Sequence, residues 1–534
     1  MMPIPLRTLP AALAMLLLAA VTATALPPAQ AADAPRCQYV QIARLPLRYT
    51  GPSLMLTIEG RINGAPAEML VDTGAYATFL TRTGTDRFGL SLSSTGQVAY
   101  GIGGIASIYK TRVDEFSAGP ARAAKGYLPV LTDFGFTPSF DAILGAPFLL
   151  QADLEISLAS KELGFFRPHD CKDGFLAYWD PAAVVVPFER GSKRGSNPAF
   201  SVLVNGVELR AIIDSGAATT AISLAAAKRA GLRIDAPEVK RIGHSVGLGD
   251  KKAATWHAVF PTLEIGAEKI SNAYVAVVDK HGTDTELLLG ADFLRAHRVL
   301  FAMSQQKLYL SYLGGDPFSQ RRTIEPWMRE EAEAGNADAQ MALSRAYRNG
   351  DKVDKDPALA AAWLDKAVQN GSPAANIARG RELMLAGQAA EGAAHLRTGL
   401  DKLPSNRSAA LWLHLARLRM GRAELARSEL ISAFEKSDDD EWPRPIADYY
   451  LGKITAAKLL AEAADARAGA ARARCDAFKA MAEWHAVRGE QATADGFTAQ
   501  ATGPCGGTAA AKTAAPEAGP GQPAPSTGGA GALE

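Results

Sequence analysis

The sequence predicts a multidomain chain in which two all-β lobes built on one plan are followed by an all-α array of helical repeats. Three observations carry that prediction. A nine-residue pattern starting at Ala67 returns at Leu209. The apolar period changes from 2 to 3.6 after Tyr312, the spacings of strands and helices. The chain has 534 residues, room for about three or four domains.

The lobes come first. Ala67-Glu68-Met69-Leu70-Val71-Asp72-Thr73-Gly74-Ala75 recurs as Leu209-Arg210-Ala211-Ile212-Ile213-Asp214-Ser215-Gly216-Ala217. Each copy follows a strand-like run that ends in Asn-Gly, at Asn63-Gly64 and Asn205-Gly206. Asn-Gly between alternating apolar runs is a strong hairpin signal, because both residues tolerate positive φ. A glycine-rich loop lies downstream of each aspartate, Gly101-Ile102-Gly103-Gly104 and Gly247-Leu248-Gly249. Then Ile143-Leu144-Gly145 parallels Leu288-Leu289-Gly290, at 73 and 76 residues from Asp to Gly. Each copy closes on a β-rich run, 155–166 and 299–312. The lobes are assigned to residues 37–175 and 182–314.

A lone Asp-Thr-Gly is ordinarily a turn, its carboxylate accepting local N–H bonds. Here both copies follow apolar strands that carry the aspartate inward, and burying one carboxylate alone is costly. Two such loops meeting at a pseudo-twofold axis share a proton and hold a water between them. Like charges that close cannot both ionise, so one group serves as base and the other as acid. Thr73 and Ser215 then support the dyad across the axis, while Gly74 and Gly216 let the backbones approach.

These residues resemble the retropepsin-like family of aspartic proteases, including bacterial members with Asp-Thr-Gly-Ala-x-x-Thr. Residues 72–78 and 214–220 match that pattern, and the resemblance covers roughly residues 45–313. It implies that Asp72 and Asp214 are the catalytic pair. It also implies that Gly101, Gly103, Gly104, Gly247 and Gly249 belong to flaps over the cleft. Ile143, Leu144, Gly145, Leu288, Leu289 and Gly290 match the element that packs behind the active-site loops. The implied activity is that of an endopeptidase on polypeptide substrates, with no metal or cofactor. Retroviral-type enzymes are homodimers of one lobe, whereas this chain carries two, so an intramolecular pseudo-dimer is expected; two separately dimerising lobes are the alternative. Ala146-Pro147 against Ala291-Asp292 makes the lobes unequal.

Gly243-His244-Ser245-Val246-Gly247 also fits the G-x-S-x-G elbow of serine hydrolases. That motif needs a sharp strand-to-helix turn. No helix is expected after Gly247, and a serine hydrolase ranks last. His244, His257, His281 and His297 lack metal-ligand spacing.

Residues 323–505 read as helix pairs. Ala337 to Tyr347 is an amphipathic helix ended by Asn349-Gly350, and a second follows Asp356-Pro357, with Trp363 on it and Gly371 at its end. This resembles a Sel1-type tetratricopeptide repeat, departing at Ser344, where that family has Gly. Further pairs follow at spacings of 34 to 36 residues. Stacked repeats bury faces that no single unit buries, and their concave surface is a place for a protein partner.

Residues 1–31 carry Arg7, an apolar run from Ala11 to Leu26 and Ala29-Gln30-Ala31, which reads as a signal peptide. An exported protein, periplasmic or secreted and with no membrane span after signal removal, is therefore expected. The four cysteines are expected to pair as Cys37–Cys171 and Cys475–Cys505. In the tail, 506–534, 20 of 29 residues are Ala, Gly or Pro, too few large apolar groups for a core. A formal net charge of +1 supplies no field for nucleic acid. The rival to the enzyme is a catalytically silent protease-fold scaffold or adaptor in the cell envelope.

Overall fold

The computed structural model describes residues 37–123, 125–134, 136–189, 197–249, 252–279, 285–318, 323–435, 442–466 and 470–506. The leader, and the tail beyond Gly506, lie outside these residues.

The two hairpins form as expected. Strand Met55–Ile62 pairs with Ala65–Val71, and Phe200–Val204 with Val207–Ile213. The turn residues Asn63 and Gly64 have φ 50° and 78°, and Asn205 and Gly206 have 50° and 76°. Both turns are thus left-handed at both positions, the twist that suits a two-residue hairpin. In each lobe a three-residue strand, Ala142–Leu144 or Leu287–Leu289, then slots in parallel beside the second hairpin strand. Its other edge pairs antiparallel with Phe79–Thr81 or Ala221–Ser223. Short helices close the plan at Arg82–Arg87 and Leu224–Arg229.

The lobes share a floor. A six-stranded sheet runs in the order Gln38–Pro46, Glu162–His169, Asp153–Ser157, His297–Ala302, Lys307–Tyr312, Val184–Pro187. Its central seam pairs Leu154 with Phe301 and Ile156 with Val299, joining the first lobe to the second. One continuous apolar core, including Leu154, Ile156, Val299 and Phe301, runs through both lobes. The intramolecular pseudo-dimer, rather than two separately dimerising lobes, is the arrangement of this chain. Both disulfides form as paired in the sequence reading, Cys37–Cys171 and Cys475–Cys505. Disulfides of this kind persist in oxidising compartments.

Eleven helices from Pro326–Glu333 to Gln491–Gly506 follow among the described residues. Their ends obey local chemistry. Asn336, Asp356, Ser372 and Asn406 cap four of them by accepting backbone N–H bonds, and Pro357 and Pro373 stand in first turns. Gly350 ends Ala337–Asn349 in the left-handed region at φ 72°. Ser344 donates its hydroxyl to the Ala360 carbonyl at 2.7 Å, which satisfies a polar group at a close helix crossing. At the corresponding crossing one repeat later stands Gly380, where a Cβ would lie 2.8 Å from the Gly392 carbonyl.

The first helices are not a separate body. Ala332, Ala339, Leu343, Tyr347 and Ala360 belong to the core of the lobes, while a second core starts at Met384 and runs to Ala501. Polar ties reinforce the junction: Asn336 Nδ2 donates to the Tyr49 carbonyl, and Gly51 N–H to Asp338. No helix among the described residues is long and apolar enough to cross a membrane.

Candidate active site

Each aspartate stands at the end of a buried strand, Ala65–Val71 or Val207–Ile213. The inserted parallel strand continues the ladder: Asp72 N–H donates to the Leu144 carbonyl at 3.1 Å, and Asp214 N–H to Leu289 at 2.9 Å. The glycine that follows must be glycine. A Cβ on Gly145 would lie 2.2 Å from the Ala77 carbonyl oxygen, and one on Gly290 2.6 Å from the Thr219 carbonyl carbon. Their N–H groups donate to the hydroxyls of Thr78 and Thr220. The lobes part company next. In the second, Asp292 accepts from both the N–H and the hydroxyl of Thr220, at 2.8 and 2.7 Å. In the first, Pro147 has no group to accept those bonds.

The loops meet across the axis and interlock. Thr73 N–H donates to Ser215 Oγ at 3.0 Å, and Ser215 N–H to Thr73 Oγ1 at 3.1 Å. Each hydroxyl passes its own proton on, Thr73 to the Ile213 carbonyl and Ser215 to Val71, both at 2.7 Å. All four bonds are buried. Above this grip, Asp72 Oδ1 accepts from Gly74 and Ala75 N–H, and Asp214 Oδ1 from Gly216 and Ala217. The two carboxyls hydrogen-bond to one another. Burial first, and then the charge of Asp214, push the Asp72 carboxyl well above the usual carboxylate range. A dyad with one retained proton is what that arrangement makes.

The five loop glycines sit at the tips of two hairpins, one from each lobe. Hairpin Ser93–Gly101/Gly104–Val113 comes from the first lobe and Lys240–Ser245/Ala253–Ile265 from the second. Their tips touch: Gly103 N–H donates to the Leu248 carbonyl at 2.8 Å. A Cβ on Gly103 would lie 2.6 Å from Gly249 O, one on Gly101 2.5 Å from Leu248 Cβ, and one on Gly247 2.8 Å from Ile102 Cγ2. Gly104 turns the first hairpin at φ 100°. The tips are exchanged, since Ile102 packs on the second lobe's Ala221, Ala253 and Val278, and Leu248 on the first lobe's Phe79 and Leu131. Ser245 ends a strand and continues into this loop without a helix, and its hydroxyl accepts from Thr255 at 2.8 Å. The nucleophile elbow is therefore absent at Ser245.

Sequence reasoning missed several groups here. Asp133 joins the two hairpins, its carboxylate accepting from Ser107 N–H and its carbonyl from Gly249 N–H. Asn197 donates to the Gly74 carbonyl at 2.6 Å, bracing the first Asp-Thr-Gly loop from the interlobe connection. A duplicated ion pair lies behind the loops: Arg87 with Asp141 at 2.6 Å, and Arg229 with Glu286 at 2.5 Å. Asp141 also accepts from Glu68 N–H and Glu286 from Arg210 N–H. The signal was in the repeat, where Asp141 and Glu286 precede the matched Ile143 and Leu288 by two residues.

Asp141 is fully buried, and one of its carboxylate oxygens has no hydrogen-bond partner. Burial outweighs Arg87 and the Glu68 N–H and raises its pKa from 3.8 to about 6. The folded chain then binds more protons than the unfolded chain between those values, so stability falls as pH rises from about 4 to about 6 and is level above. The limit is about 3 kcal/mol. Denaturation midpoints measured across that window should slope less steeply in Asp141→Asn, whatever its overall offset. Parallel curves would contradict the assignment.

The curated relative matched is "Protein DNA-DAMAGE INDUCIBLE 1" of Arabidopsis thaliana, 30% identical over 139 residues. That match takes in 25% of this chain and 31% of the relative, so the chain spans about a third of the relative's length. The crystal structure of the aspartic proteinase from Irpex lacteus aligns over 52% of this chain and 97% of its own, at 14% identity and a TM-score of 0.33. The aspartyl protease family model matches twice, at residues 58–148 and 200–293, so each lobe carries the family's pattern once and contributes one of the two aspartates.

Proposed function

We propose that this chain is an exported aspartic endopeptidase that hydrolyses peptide bonds with a water held between Asp72 and Asp214, its helical repeats serving to bind a partner or substrate. The observation that carries the reading is the contact of two half-buried carboxyls over the buried, reciprocal Thr73–Ser215 grip. Asp72 keeps the shared proton, and Asp214 accepts one from the water. The hydroxide adds to the scissile carbonyl carbon as Asp72 donates to its oxygen, giving a neutral diol. The diol then returns a proton to Asp72, its nitrogen takes the proton held on Asp214, and the C–N bond breaks. One water is consumed and the dyad is restored. Rate falls in acid as the pair takes up a second proton, and in base as Asp72 loses its own.

The test is peptide-library cleavage by the mature chain from about pH 4 to 7, read by mass spectrometry, with Asp72→Asn alongside. Cuts made by wild type alone, with a bell-shaped profile, support the dyad. Identical cuts by both proteins would sink it, and no cuts by either would favour the silent scaffold.

A further inference from the structure

A groove of about 950 Å³ runs between the helical repeats and the second flap hairpin. Trp412, Trp442 and the largely buried Tyr450 are among its lining residues. Arg472 and Lys479 stand along it with Asp465 and Asp476, so the lining carries both signs of charge. Phe134, Val246 and Lys252 border it from the protease lobes. Val246 lies two residues from Leu248, the tip whose carbonyl accepts from Gly103 N–H. The helices hold their place against the first lobe through the shared core and the bond between the Thr83 and Ser405 hydroxyls at 2.7 Å. The groove therefore borders both the helical repeats and the second-lobe hairpin whose tip meets the first lobe.

We propose that this groove binds a segment of extended polypeptide belonging to the same chain that is cut at the dyad; the second half rests on the peptidase reading above. Aromatic faces give large contact area at little entropic cost and accept many side chains, which suits a polymer of varied sequence. Alternating charge complements side chains of either sign and offers no continuous basic track for a polyanion. The volume is at the upper end for a bound small molecule. Lining drawn from both the helical repeats and the second-lobe hairpin makes this a groove rather than a flat face. A chain lying in the groove runs past Val246 toward the cleft, so long unfolded substrates engage at two places and short peptides at one.

The probes are fluorescently labelled β-casein, an unfolded protein, and an octapeptide spanning one of its cut sites. In the full chain made inactive by Asp72→Asn, adding Trp412→Ala should weaken β-casein binding about tenfold, read by anisotropy. Lys479→Glu, at an exposed position, should weaken it too without a folding risk. In active protein, the ratio of kcat/KM for β-casein to that for the octapeptide should fall by the same factor. Unchanged binding and an unchanged ratio in both variants would overturn the proposal. If wild type cuts neither probe while the variants still lose β-casein binding, the peptidase reading fails and the groove stands as a polypeptide site.

Discussion

Gly74→Ala should leave a folded protein that cuts at least about a thousand times more slowly, as large a loss as removing an acid–base group. Gly74 does not have the positive φ that restricts other residues, so the backbone would accept alanine. The obstacle is the new methyl, 2.4 Å from Asp214 Cγ. Gly216 faces the same problem from the other side, with Asp72 Cγ at 2.3 Å. Asp214 has one short side chain with which to retreat, and any retreat parts it from its partner carboxyl and from the Gly216 N–H. Both variants should lose kcat while their thermal midpoints move little. The control is Gly496→Ala, where nothing lies within 4 Å. Full activity in Gly74→Ala would mean that the carboxyls need not touch.

Thr73→Val should cost about 2–4 kcal/mol in urea denaturation, because two buried groups lose their partners at once. Valine keeps the shape but neither accepts from Ser215 N–H nor donates to the Ile213 carbonyl. Ser215→Ala leaves Thr73 N–H and the Val71 carbonyl in the same position. Thr73→Ser restores the hydroxyl that the second lobe uses naturally and should fall within about 1 kcal/mol of wild type. Equal stability of the valine and serine variants would mean that the grip contributes nothing.

What was legible in the sequence was what repeats or acts locally. Asn63-Gly64 and Asn205-Gly206 announce hairpins because left-handed backbone is a property of those residues themselves. Asp356-Pro357 and Asn349-Gly350 mark helix ends for the same reason. The duplicated Asp-Thr/Ser-Gly and Leu-Gly segments were visible since each lobe serves as the other's alignment. The shared floor was not, because pairing Leu154 with Phe301 joins residues far apart in sequence through backbone groups that any residue has. Asp133 and Asn197 were hidden likewise, each acting once and with no copy in the other lobe. Residues 315–322 fall between the assigned lobe and helical region, but the packing of Tyr347 and Ala360 with the lobes depends on complementary shape, which a period of 3.6 does not encode.

The exchange of Ile102 and Leu248 between lobes sets a toll on admission to the cleft. Each tip is at rest in the other half's apolar cluster, so parting the hairpins strips both from their contacts and breaks the Gly103–Leu248 bond. On the proposed peptidase reading the closed form is the resting one, and a substrate would bind only the fraction of molecules that is open, its apparent affinity scaled down by that fraction. Shortening either side chain would therefore act opposite to most core truncations: a less stable lid, a larger open population, and faster capture of the same peptide.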